Sequence, residues 1–168
     1  MILAFDTYYF DTKAKTICVA FDNWTNEENF DVYSELTEIA GDYQSGQFYK
    51  RELPCILSLL KKNTFKNIEF IIIDGYVYLD DNEKFGLGGH LFDALGGKIP
   101  IIGVAKTNFA TIDKNKQQIL RGKSIKPLYI TSIGMDVREA ARLIEQMKGQ
   151  NRIPDLLKKL DILTKEKN

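Results

Sequence analysis

Three acids in this chain stand where an acid needs a chemical reason. Glu52 lies in YQSGQFYKRELPCILSLLKK, and at helical spacing it falls on the apolar stripe of Phe48, Ile56, Leu59 and Leu60. A buried, unpaired carboxylate costs on the order of several kcal/mol unless it is paired, protonated or bound to a metal. Asp74 closes the apolar run FIIID ahead of Gly75, so a buried central strand carries it into a crevice. Asp6 is placed in the same way by MILAFDTYYF. Two strand-tip aspartates and one inward glutamate form an oxygen-rich set from three separate elements, the donor type that hard divalent cations take. The expectation is one metal-sized cluster at the carboxyl ends of the central strands.

The elements that must position these acids read as follows. Strands are expected near 1–10, 15–22 and 31–38, then a helix over 46–62, a strand over 68–74, a helix over 86–96 and a strand over 100–105. An irregular or hairpin segment follows to 126, then a strand over 127–133 and helices over 136–148 and 154–163. Three meandering strands followed by alternating helices and strands indicate an α/β fold, its mixed central sheet antiparallel through the first three strands, then parallel, and flanked by helices. Pro54 predicts a kink or a late start in the helix over 46–62, because its ring meets the carbonyl of Lys50.

Composition narrows the class. A chain of 168 residues with 44% hydrophobic residues can build one core without disulfides, so a single domain over 1–168 is expected. Cys18 in a strand and Cys55 on an apolar helix side read as small hydrophobes. No apolar run approaches the ~20 residues of a membrane span, and Met1 leads into a strand without a basic flank or cleavage site. These features predict a cytoplasmic protein with no membrane partner. Charge is balanced overall, 23 basic against 23 acidic residues, but unevenly spread. Residues 1–42 hold nine acids and two lysines, whereas Lys106, Lys114, Lys116, Arg121, Lys123 and Lys126 face Asp113 alone within 106–126. A basic stripe beside an acidic crevice suits a phosphate backbone, and a solvated lysine-rich loop is the plainer alternative.

FDTYY, YQSGQFYKRE, IIIDGYVYL, GLGGHLFDALGGKIPIIGVAK and KPLYITSIG occur in this order. Together they resemble the successive motifs of the endonuclease V family, metal-dependent nucleases of the RNase H-like fold that act on inosine-containing strands. The resemblance covers roughly residues 1 to 155. It implies that Asp6, Glu52 and Asp74 are the acidic metal ligands and catalytic groups, with Lys106 beside the scissile phosphate. It also implies magnesium, or manganese, as cofactor and inosine-containing nucleic acid as partner, bound by a monomer.

The same resemblance assigns nucleic-acid contacts. Tyr43 matches the tyrosine of a wedge loop that fills the gap left by an extruded base, although YQSG stands here in place of the family's proline-bearing loop. Gly86, Gly88 and Gly89 match the segment before the helix that closes over the inosine pocket, and glycine would let backbone N–H donors approach a purine O6. His90 matches a histidine of that helix and reads either as a phosphate or metal-shell group or as a packed helix residue. Tyr76, Tyr78 and Phe85 read as base-stacking or sheet-edge residues, and Arg121 of the basic stripe reads as a nucleic-acid contact.

Departures bear on activity. Met135 stands where the family has a histidine after the KP strand, and Asp136 either substitutes for it or, with Glu139, caps the next helix. The sequence starts at the first strand, so contacts that the family makes through an upstream helical segment are expected to be lacking. Two classes follow: an endonuclease cutting DNA or RNA 3′ to inosine, and a degenerate relative that binds nucleic acid without cutting. Retention of all three acids and Lys106 favours the enzyme. The wedge assignment generates its own test. Tyr43→Ala should weaken binding to an inosine-containing duplex by the ~1–3 kcal/mol of a base–aromatic stack, leaving undamaged duplex little changed in a fluorescence polarisation titration.

Overall fold

The computed structural model describes residues 1–25, 28–39 and 47–167. The longest apolar runs take the middle of the sheet, where both faces are covered. These are β1 (Ile2–Phe10), β4 (Phe70–Asp74) and β5 (Ile101–Ala105). Beside them lie β2 (Lys13–Phe21) and β3 (Phe30–Glu38) on one flank, and β6 (Gln117–Ile119) and β7 (Leu128–Ile133) on the other. Among the described residues the strands run in the order β3-β2-β1-β4-β5-β7-β6. One apolar face packs under helices α1 (Phe48–Lys62) and α2 (Leu87–Ala94), and the other under α3 (Val137–Glu145) and α4 (Asp155–Lys165). This is the α/β architecture with a mixed sheet that the sequence predicts. Among the described residues, no helix is long and apolar enough to cross a membrane.

Strand direction departs from expectation at one place. β1, β2 and β3 form the antiparallel meander, and β1, β4 and β5 are parallel, but β7 runs antiparallel to β5 and β6 antiparallel to β7. The cause is the connection after β5. A parallel return needs a crossover, usually a helix, whereas residues 106–127 come back through the short strand β6. This reversal lays the start of β7 beside the end of β5, with Tyr129 opposite Ala105.

Local chemistry explains the helices that matter here. In α1 the buried residues Glu52, Cys55, Ile56 and Leu59 recur every three or four positions, so the carboxylate belongs to the stripe that seats the helix. Pro54 neither starts nor ends α1. It lies on the exposed side, where the carbonyl of Lys50 can turn to water. Ser58 and Lys62 both donate to Glu35, which ties the helix to edge strand β3. In α4 the buried stripe is Leu156, Leu157, Leu160 and Thr164, laid across β1 and β2. Asp136 caps α3 by accepting from Arg138 N at 2.8 Å, while Glu139 pairs with Arg142. Both cysteines are buried and reduced.

Gly103 in β5 holds two loops together. A Cβ there would meet Gly75 O at 2.5 Å, Thr131 Oγ1 at 2.6 Å and Val77 N at 3.1 Å. Thr131 Oγ1 also accepts from Val77 N at 2.9 Å, so the clash falls on a buried hydrogen bond. Gly103→Ala should therefore destabilise the fold by about 1–3 kcal/mol, as overpacking does. Urea denaturation should show a lower midpoint with an unchanged slope.

Candidate active site

The site opens where parallel pairing ends. Phe5 of β1 is opposite Ile73 of β4, and the next residues are Asp6 and Asp74, so their carboxylates emerge side by side on one face. Asp6 is thus not at the tip of β1, which continues to Phe10 paired with β2 alone. Asp74 ends β4, opposite Val104, and Lys106 follows two residues after Val104. Lys106 Nζ lies 3.5 Å from Asp74 Oδ2. Glu52 enters from α1 and is only 2% exposed.

Helix α4 closes the other side. Thr164 Oγ1 donates to Asp6 Oδ2 at 3.1 Å, and Thr7 N donates to Asp6 Oδ1 at 2.9 Å. Asp161, one turn before Thr164, reaches Lys106 Nζ at 3.7 Å and holds Lys165 Nζ at 2.8 Å. Sequence reading missed Asp161. Its only signal was its position on the flank of the Leu156, Leu157, Leu160, Thr164 stripe, where an acid reads as solvated. A small crevice of about 30 Å³ lies among Asp6, Asp74, Lys106 and Asp161, room for a water or a small ion.

A second, larger cavity shares Asp74 and Lys106. Its volume is about 530 Å³, within the range that holds a small organic group. Phe48 and Tyr49 of α1 line one side, and Tyr76 and Phe109 the other, their rings stacked 4.6 Å apart at 7°. The hydroxyl of Tyr76 donates to Thr107 O at 2.7 Å and accepts from Phe109 N at 3.2 Å, which fixes this wall. The loop behind it folds around the buried ammonium of Lys116, which donates to Asn108 Oδ1 and Ile112 O, each at 2.6 Å.

Several sequence assignments change on this frame. The N–H groups of Gly86, Gly88 and Gly89 do not face a base: they donate to the carbonyls of Val77, Tyr76 and Val77, at 2.8, 3.2 and 3.2 Å. Gly86 still lines the larger cavity, but Gly88 and Gly89 serve close packing, since a Cβ would meet Val77 at 2.6 Å or the Phe85 ring at 2.5 Å. His90 stacks on Tyr49 at 3.8 Å with Phe85 at its edge, so the structure packs it on α2 and does not bring it into either cavity. Arg121 is no surface contact. It is 5% exposed and its guanidinium donates to the carbonyls of Asn151 and Met147. With Lys116 also turned inward, the basic stripe keeps four lysines and loses two charges to internal anchoring. Tyr76 is buried, while Tyr78 bridges to Phe85. Asp136 is engaged as a cap, Met135 packs against the core, and Tyr43 lies outside the described residues.

The electrostatics are those of uncompensated negative charge. Burial raises the proton affinity of Glu52 well above the usual carboxylate range, and the charges of Asp6 and Asp74 raise it further. Asp6 is raised by burial and by Asp74, against the lowering hydrogen bonds from Thr164 and Thr7. Asp74 is raised by burial, which outweighs the lowering effect of Lys106. The three acids therefore sense one another. They do not form a ready-made cage: among the described residues, no three His, Cys, Asp or Glu side chains are grouped so as to hold a metal ion. The single metal-sized cluster expected from sequence is thus replaced by an open arrangement, with Asp6 turned to Thr164 and Asp74 to Lys106. The oxygen donors still suit magnesium, which keeps several waters and takes one or two carboxylates.

Comparison with known proteins places this geometry. The family model described as Endonuclease V matches residues 1–145. No curated protein sequence matches the chain significantly. Among solved structures, endonuclease V from Streptomyces avermitilis superposes with a TM-score of 0.71 at 22% identity, over 97% of this chain and 78% of that one. Human endonuclease V gives 0.70 at 22% identity, over 97% and 82%. Endonuclease V of Ciona intestinalis, in complex with a 24mer DNA containing an inosine followed by a ribo-adenosine, gives 0.79 at 17% identity, over 97% and 83%.

The raised acids fix the sign of a pH effect. A carboxyl whose proton is held more tightly in the folded state stabilises the fold below its unfolded value, and this is lost as pH rises toward the folded value. Without divalent cations, stability should fall as pH climbs from the ordinary values of 3.8 for Asp6 and Asp74 and 4.5 for Glu52. Glu52→Gln should melt at a higher temperature than the parent at pH 8 and show a flatter pH dependence by differential scanning calorimetry. Magnesium should raise the melting temperature of the parent and leave the variant less changed.

Proposed function

Since the chain belongs to the endonuclease V family, a family of nucleases, we propose that it is a metal-dependent endonuclease that cuts a phosphodiester bond 3′ to inosine, in DNA or RNA. The observation that carries this reading is the shared wall of the two cavities. Asp74 and Lys106 line both the small acidic crevice and the base-sized cavity. A nucleotide whose base fills the larger cavity would place its phosphate at the smaller one, next to the acids. The inosine-containing DNA bound by the Ciona protein supports the choice of base.

The chain's own residues then divide the work. Asp6 and Asp74, which line the crevice, would hold magnesium, or manganese, in the field of the neighbouring Glu52; the ion when bound supplies positive charge for the phosphate and acidity for an attacking water. Lys106 lies against Asp74 and Asp161, and a phosphate entering the crevice would draw its ammonium away as a compact cation. Asp161 keeps that ammonium aimed at the crevice in the meantime. Phe48, Tyr49 and Phe109, the last backed by the buried Tyr76 ring, offer aromatic surface to an extruded base, replacing the stacking it leaves behind. Water is limited on the α4 side by Leu157 and Leu160, which line the crevice beneath Asp161.

Asp74→Asn keeps size and hydrogen bonding while removing a ligand charge, so cleavage of inosine-containing strands should fall below detection with the fold intact. Lys106→Ala should cut the rate by about 10²-fold, the scale of one lost transition-state contact. Both are read by gel assay with magnesium or manganese on DNA and RNA strands. Undiminished cutting by Asp74→Asn, or parent activity in the presence of EDTA, would refute the assignment.

A further inference from the structure

We infer that the β6–β7 connection, residues 120–127, is a second nucleic-acid contact, with Ile125 entering the minor groove of a duplex flank while Lys123 and Lys126 meet its phosphates. The inference rests on the nuclease reading above and adds a contact outside both cavities. Ile125 is 91% exposed, and Leu120 of the same loop is 60% exposed. Lys123 and Lys126 on either side of Ile125 are also exposed. An isoleucine so presented contributes nothing to the core, and a free loop would let it fold back.

This loop is held out. The buried Arg121 guanidinium bonds the carbonyls of Met147 and Asn151, which fixes the start of the loop to the segment after α3. Gly122 has φ +58, and a side chain there would run into the Gln150 carbonyl. Ser124 N donates to Arg121 O at 3.3 Å, and Ser124 Oγ accepts from Lys126 N at 3.1 Å, closing the turn. Arg152 ends the anchoring by donating to Pro127 O at 2.7 Å. Such a base makes Lys123, Ile125 and Lys126 a rigid projection whose ordering cost is met before binding.

Its place in the fold supplies the partner. Arg152 also donates to Lys106 O, so one guanidinium spans the loop's last residue and the lysine of the crevice. Ile125 is two residues before Pro127, about 7 Å of chain at most. A strand advancing about 3.4 Å per nucleotide along the duplex axis, with its scissile phosphate at Lys106, would pass the tip within a few nucleotides. Apolar side chains flanked by lysines are the chemistry that wedges a minor groove while neutralising its phosphates.

The test is fluorescence polarisation of an inosine-containing duplex and its single strand, without metal, across a salt series. Lys123→Ala/Lys126→Ala should reduce the slope of log affinity against log salt by about 1.8 on duplex. Lys61→Ala/Lys66→Ala, exposed near the opposite end of the sheet, should leave it unchanged. Ile125→Ala should weaken duplex binding about tenfold, the scale of burying one aliphatic side chain, and single-strand binding by less than twofold. Surface substitutions of this kind should leave the fold intact, and circular dichroism of each variant checks it. An unchanged slope, or equal losses on duplex and single strand, overturns the inference. If the parent still cuts inosine strands in that case, the nuclease reading survives alone. A parent that neither binds nor cuts overturns both.

Discussion

Negative charge held at the end of a buried sheet is the constraint that organises this molecule. Asp6 and Asp74 emerge side by side because β1 and β4 are parallel and in register to that point, and Glu52 is driven toward them by the same apolar stripe that seats α1. A hydrophobic core pulls these groups inward; electrostatics resists. Lys106 on Asp74 and Thr164 on Asp6 are local answers, and both are incomplete, since all three acids still hold protons more tightly than free carboxylates do. An acidic crevice is what such a compromise leaves. The fold spends stability there that a core of apolar side chains would have kept.

What the sequence made legible follows the range over which the forces act. Central strands and the α1 stripe are written locally, in runs of Ile and in a three-to-four residue repeat, so the acids they carry could be named. Asp161 could not. Its helix is polar on the same side, and only packing of α4 across β1 and β2 turns that side toward the crevice. Arg121 and Lys116 fail in the opposite sense. Their charges are visible in sequence, but the carbonyls that consume them are brought up by folding, Met147 and Asn151 of a distant segment for one, Ile112 of its own loop for the other.

The glycine-rich segment shows the same limit. GLGG marks a place where backbones approach closely, and that much the residue type conveys. Which backbone approaches is a tertiary matter: the N–H groups meet Tyr76 and Val77, so the segment clamps the start of α2 onto the β4 exit loop and shapes the cavity from behind. The reversal of β7 was likewise hidden, because it depends on a three-residue strand too short to announce itself.

The bond from Thr164 to Asp6 joins residues 158 apart in sequence. During synthesis the three acids and Lys106 leave the ribosome long before the helix that orders Asp6. At about 5–20 residues per second, the interval between Lys106 and Thr164 lasts seconds. A nascent chain in that interval carries the acids with one wall of the crevice missing. Dependence on this helix would make the nuclease complete its centre only after Thr164 has been made, well after the acids and Lys106.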